Sequence, residues 1–84
     1  MKKDSPLIEQ AKRLQNHYCS AILLMHVGDF YEAFYKDAEV VSQICNTALI
    51  KRDEVPLTGF PSESFDEYLP KLIKAGYKVA VANI

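Results

Sequence analysis

The side chains with the most to offer chemically are few. His17 and His26 stand nine residues apart, and neither has a cysteine or carboxylate at a metal-ligand spacing. They read as a surface histidine and a strand histidine. Cys19 and Cys45 form no C-x-x-C pair and lie in apolar surroundings, as reduced core thiols of a cytoplasmic protein do. No Cys-His or Ser-His pairing follows from the spacing. Neither G-x-x-x-x-G-K-[ST] nor G-x-G-x-x-G occurs, so there is no nucleotide cradle. What remains is "GDFYEAFY", Gly28 to Tyr35. It packs four aromatics into the six positions from Phe30 to Tyr35 and sets Phe30 between the acids Asp29 and Glu32. A ring on a rigid turn can stack, and a neighbouring carboxylate can accept hydrogen bonds. That is the chemistry of binding, not of turnover, and no enzymatic activity is expected.

The rest of the chain must hold that segment. Eighty-four residues make one domain, residues 1–84, with a modest core. Ten Lys and Arg against eleven Asp and Glu leave a formal charge of −1, so no strong field draws the whole molecule to a polyanion. Lys2 and Lys3 lead into Asp4, Ser5 and Pro6 and not into an apolar stretch, so no secretion signal is read. The longest apolar run, Ala21 to Val27, is interrupted by His26 and is too short to span a bilayer. A cytoplasmic location with no membrane contact is expected.

Hydrophobic periodicity supplies the elements. Ser5 is a fit N-cap and Pro6 a fit first residue for a helix ending near His17 or Tyr18, with Leu7, Ala11, Leu14 and Tyr18 on its buried face. "AILLMHVG" reads as a strand buried on both faces. A second helix is expected from the Gly28 segment to Asn46, with Tyr31, Phe34, Ala38, Val41 and Cys45 as its core stripe. Thr47 to Arg52 reads as another strand, and "PLTGFP" as a short extended piece or turn. Ser64 and Glu67 form a capping box for a third helix with Phe65, Tyr68, Leu69, Leu72 and Ile73 inward. Pro70 should kink or delay that helix, Gly76 should cap it, and "YKVAVANI" closes as a strand. The expected fold is α/β: a mixed sheet of about four strands with three helices on its faces, in the order α-β-α-β-(β)-α-β.

Within the expected second helix, the acids of "GDFYE" have a structural explanation. Asp29 as N-cap and Glu32 at N3 form a capping box, which contributes about 1 kcal/mol. Glu32 could also pair with Lys36 one turn later. Phe30 is not so explained. It precedes the buried stripe and projects from the turn.

The stretch "LLMHVGDFYEAFYKDAEVVSQICNTALIKR", followed by "PLTGFPSESFDEYLPKLIKAGYKVAVANI", resembles the N-terminal mismatch-recognition domain of the MutS family of DNA mismatch-repair proteins. G-D-F-Y-E-x-F-x-x-D-A, Gly28 to Ala38, is its most specific part. The resemblance implies an F-x-E motif at Phe30 and Glu32. Phe30 would wedge from the minor groove and stack at a mispaired or unpaired base, and Glu32 would accept a hydrogen bond from that base. Gly28 and Asp29 would support them. Lys51, Arg52, Lys12 and Arg13 are the candidate contacts to the DNA backbone. The implied partner is double-stranded DNA with mismatches or distortions, bound weakly by a monomeric domain, with other repair proteins as a further class of partner.

The family's clamp and ATPase domains, with their ATP and magnesium, lie outside these residues. No cofactor is expected here, and the chain reads as an excised or free-standing domain. Two features depart from the family. "GFP" is followed by Ser62 and Glu63 where a basic or Tyr-His pair is usual, and the last strand ends at Asn83-Ile84. An acid facing phosphate weakens binding. The alternative is therefore a protein-interaction or regulatory module on the same fold.

Overall fold

The structure is a computed structural model that describes residues 6–18 and 20–83. The expected Ser5 cap and Cys19 fall outside the described residues. The elements in chain order are α1 (Pro6–His17), β1 (Ile22–Val27), β2 (Phe30–Phe34), α2 (Tyr35–Cys45), β3 (Ile50–Arg52), β4 (Val55–Pro61), a 3₁₀ turn (Ser62–Ser64), α3 (Phe65–Lys74) and β5 (Val79–Asn83). Five strands, not about four, form one mixed sheet in the order β3-β4-β2-β1-β5. Only β1 and β5 run parallel; the other three pairings are antiparallel.

The added strand corrects the expectation at the aromatic segment. Residues 30–34 are not the first turns of a helix. They are an interior strand, paired with β1 through Met25, His26 and Val27 and with β4 through residues 57–61. The expected capping box therefore does not exist, and Glu32 does not meet Lys36 on a helix. β4, read as a short extended piece, is a seven-residue strand between β2 and β3. The expected strand at 47–52 pairs only over Ile50–Arg52. The helical stripe survives from Ala38 onward: Ala38, Val41 and Cys45 are buried.

Alternation along each strand divides the core between two faces. Leu23 and Met25 of β1, Phe34 of β2, and Val55 and Leu57 of β4 pack with Ile8 and Ala11 of α1. On the other face Ile22, Leu24, Ala33 and Phe60 pack with Val41 and Cys45 of α2 and Leu72 of α3. Burial of Ile22 through Met25 on both faces is what the unbroken apolar run in β1 required. Two expected core residues are exposed instead. Tyr18 and Ile73 are 43% and 53% exposed, because α1 turns inward on Ile8 and Ala11, and α3 on Leu72. Burial raises the Cys45 thiol above its ordinary pKa, and Lys71 pulls it slightly the other way.

The connections use left-handed backbone. Asn46 ends α2 in that conformation, as expected. After α3, Gly76 takes φ 96°, its N–H donates to the Ile73 carbonyl, and the Tyr77 N–H donates to the Leu72 carbonyl. This is a Schellman ending. The helix runs through Pro70. Ser64 stands at its N-cap without a side-chain capping bond, so the expected capping box is absent there too.

Tyr35, where β2 becomes α2, holds φ 58°, a conformation that costs a non-glycine residue about 1–2 kcal/mol. Neighbours fix it. Gln15 Nε2 of α1 donates to the Phe34 carbonyl at 2.8 Å and to Asp37 Oδ2 at 3.1 Å, and the same Oδ2 accepts from the Leu23 N–H at 3.1 Å. Thr58, buried in β4, donates to the Ala48 carbonyl, and Thr47 Oγ1 lies 2.6 Å from its hydroxyl. The 46–49 segment is thereby tied against the sheet.

The two-residue turn between β3 and β4, Asp53-Glu54, has φ 51° and 66°. Positive φ at both central positions marks a type I′ turn, whose second site favours glycine. Glu54→Gly should raise stability by about 0.5–1 kcal/mol, because relief of the left-handed penalty exceeds the added entropy of the unfolded chain. A urea midpoint that rises at constant m-value checks this.

Candidate functional site

Gly28 and Asp29 form the two-residue turn between β1 and β2, since Val27 pairs directly with Phe30. Gly28 has φ 59°, and Asp29 is not among the positive-φ residues. That combination belongs to a type II′ turn, in which glycine takes the first central position. Their support of the site is thus a hairpin tip and not a helix cap. On the far side Phe30 pairs with Pro61 of β4, and the Ser62 N–H donates to the Asp29 carbonyl at 2.8 Å. Phe30 is therefore held by both neighbouring strands and by the turn, yet the residue is 50% exposed.

Period-two alternation sets the neighbours of that ring. Tyr31 and Ala33 point to the face covered by α2 and α3. Phe30 and Glu32 point to the other face, beyond the part that α1 covers. Two hollows meet at Phe30. One, of about 410 Å³, is lined by Asp29, Phe30, Pro61, Ser62 and Glu63. The other, of about 210 Å³, is lined by Phe30, Glu32, Ala48, Ile50, Arg52, Leu57, Thr58 and Gly59. Ile50 is 52% exposed at its rim.

Glu32 is mostly buried in the second hollow. Its Oε2 lies 3.7 Å from Arg52 Nη2, an ion pair too long for a hydrogen bond. Its Oε1 is buried and has no hydrogen-bond partner, a state that a protein interior rarely tolerates without a reason. Gly59 pairs with Glu32 across β2 and β4. A Cβ at Gly59 would fall 2.8 Å from the Tyr31 carbonyl oxygen and 3.4 Å from Glu32 Cγ. The floor beside the carboxylate is bare because no side chain fits there.

The expected basic contacts separate. Arg52 shares the face of Phe30 and Glu32. Lys51, its neighbour on β3, points to the opposite face by alternation. Lys12 and Arg13 are exposed on α1 and line neither hollow; Lys12 Nζ stands 5.7 Å from the Tyr35 ring centroid. Glu63 does reach the site, on the wall of the larger hollow. Behind the strand, His26 stacks on Tyr31 with centroids 4.4 Å apart, and Tyr31 meets Phe65 at 4.6 Å. His26 Nδ1 lies 3.2 Å from Asn83 Oδ1. The strand histidine thus buttresses β2 from the covered side. Among the described residues no His, Cys, Asp or Glu cluster could hold a metal ion, and no helix is long and apolar enough to cross a membrane. Sequence reasoning missed Gly59 and Ile50. The first had a signal in "TGF", a glycine inside a strand pattern, which marks close backbone approach.

The family model described as MutS domain I matches residues 5–83. The chain is 46% identical over 81 residues to the DNA mismatch repair protein MutS of Thermotoga petrophila, which covers 96% of this chain and 10% of that protein. It is 47% identical over 81 residues to the protein of the same name from Fervidobacterium nodosum, with the same coverage. With that of Thermosipho melanesiensis it shares 44% over 83 residues, 99% of this chain and 10% of the relative. The chain thus spans about a tenth of the length of the curated relatives it matches.

Gly59→Ala should destabilise the domain by about 1–3 kcal/mol, because the new methyl meets backbone that must shift. Denaturant unfolding checks the magnitude. Amide shifts confined to residues 30–33 and 57–61 would place the displacement on the Glu32 strand.

Proposed function

The chain belongs to the MutS domain I family, and on that premise we propose that it is a mismatch-recognition module that inserts Phe30 into DNA at mispaired or unpaired bases. The observation that carries the reading is a half-exposed phenylalanine, fixed by a tight hairpin and two strands, with a carboxylate two residues on along the same face. A ring that must pry between base pairs cannot be loose. Its hairpin mounting fixes the backbone that carries the ring, so that binding has only the side chain left to order.

A mispaired step stacks and pairs poorly, so wedging a ring there costs less than at a paired step. Stacking on the displaced base contributes roughly 1–3 kcal/mol and tolerates any base. The protein then reads deformability and not sequence. Glu32 acts as the discriminator. Near phosphates its charge is repelled, and the repulsion is offset where a displaced base offers an N–H to its open oxygen. Few cations converge on the site, so the isolated domain binds weakly and with a shallow salt dependence. On this reading the chain contributes recognition, needs no cofactor of its own, and leaves ATP hydrolysis to other parts of a longer protein.

Titration of matched and single-mismatch duplexes at low salt tests the proposal. The mismatched duplex should bind more tightly, and Phe30→Ala should reduce that preference by about 5- to 150-fold, the range of one lost stack. A preference that survives the substitution sinks the wedge. If no duplex shifts any resonance at millimolar protein, the acid-lined hollow formed with Asp29 and Glu63 points to a protein-interaction module instead.

A further inference from the structure

Arg52 is the one basic candidate that lines a hollow beside the proposed wedge, but its position does not suit a phosphate contact. In the sheet it pairs with Val55 of β4, whereas Glu32 pairs with Gly59 of the same strand. To bring Nη2 within 3.7 Å of Glu32 Oε2, the Arg52 side chain must cross β4, where Leu57 and Gly59 face the hollow. The missing side chain at Gly59 leaves that path open. The guanidinium is thus committed to a carboxylate. A cation already compensated by a protein anion releases little counterion on meeting DNA.

The two oxygens of Glu32 are then unequal. Oε2 faces the guanidinium; Oε1 is buried with no partner. We propose that Arg52 is a positioning residue for Glu32: it holds Oε2 and so presents Oε1 as the single acceptor to a base beside Phe30, which sets how sharply mispaired and paired duplexes are told apart. This rests on the mismatch-recognition reading above. It assigns Arg52 to discrimination and takes it out of backbone binding, where a basic residue on an exposed strand would otherwise be placed.

A double-mutant cycle on the 84-residue chain separates the two roles. Arg52→Gln should lower the ratio of mismatched to matched affinity about fivefold in the native background, and under about twofold when Glu32 is already Gln. The slope of log affinity against log salt should stay unchanged. A general loss of stability would weaken both duplexes alike and leave the ratio intact. Equal weakening of both duplexes in both backgrounds, with the slope reduced by about 0.9, identifies a phosphate contact and overturns the proposal. A native chain with no mismatch preference sinks the recognition reading by itself, and a second measurement then decides the pairing without DNA. Glu32→Gln should shift the Arg52 Nε–H resonance of the free protein; an unmoved resonance overturns the pairing.

Discussion

The register of β2 is the constraint on which this site depends. Side chains along a strand alternate faces, so a slip of one residue exchanges everything on one face for everything on the other. Val27 opposite Phe30 on one side, and Pro61 opposite Phe30 on the other, fix that register twice. With it fixed, Tyr31 and Ala33 enter the core beneath α2 and α3, while Phe30 and Glu32 are delivered to the open half of the opposite face. A slip by one would bury Phe30 among helices and expose Tyr31 and Ala33. The core energy of Ala33 and Phe34 therefore enforces the exposure of Phe30, and ring placement follows from packing several residues away. The His26–Tyr31–Phe65 stack adds to this from the covered face.

The same segment shows where a sequence stops being legible. Tyr31, Phe34, Ala38, Val41 and Cys45 fit a helical stripe, and Asp29 with Glu32 fits a capping box. Both patterns were real in the letters and false for residues 28–34. Two local signals pointed the other way: Gly28-Asp29 as a hairpin turn, and a run rich in aromatics with strand propensity. What decides between them is pairing with β4, a contact 23 to 31 residues distant in the chain, and β4 itself carries two prolines and a glycine that argue against a strand. Long-range hydrogen bonding overrode local preference. The elements that rest on local pattern alone, α1, β1, the latter part of α2, α3 and β5, were all readable. Phe30 and Glu32 were singled out by a resemblance that covers nearly the whole chain, while their setting, the hollow over Gly59, required the sheet.

Strain is not scattered at random over the fold. The left-handed residues other than glycine are Tyr35, Asn46, Asp53 and Glu54 among those described. Asn46 tolerates the conformation as a helix cap, and Asp53 and Glu54 serve a two-residue turn. Tyr35 has no such excuse. It stands where a strand becomes a helix without a loop, and Gln15, Asp37 and the Leu23 N–H surround it with hydrogen bonds. Omitting the loop ties β2 rigidly to α2 at one end, as Gly28-Asp29 ties it to β1 at the other. Both ends of the site-bearing strand are thus anchored by tight geometry.

Electrostatics leave the site with little attraction to spare. The chain carries a net charge of −1, Asp29 and Glu63 line one side of Phe30, and the cation on the other side, Arg52, is engaged with Glu32. Lys12 and Arg13 lie on α1 and Lys51 on the opposite face of the sheet. A partner is therefore not drawn in by net charge, and one that approaches Phe30 meets Asp29 and Glu63. Discrimination by such a surface comes from what it refuses as much as from what it binds. On the proposed reading, affinity is given up at the tip, where it would be blind to the state of the bases, and kept in the ring, which would work only where a step yields. On the same reading, the general hold on DNA has to come from outside the surface around Phe30, where Asp29 and Glu63 stand and Arg52 is paired with Glu32.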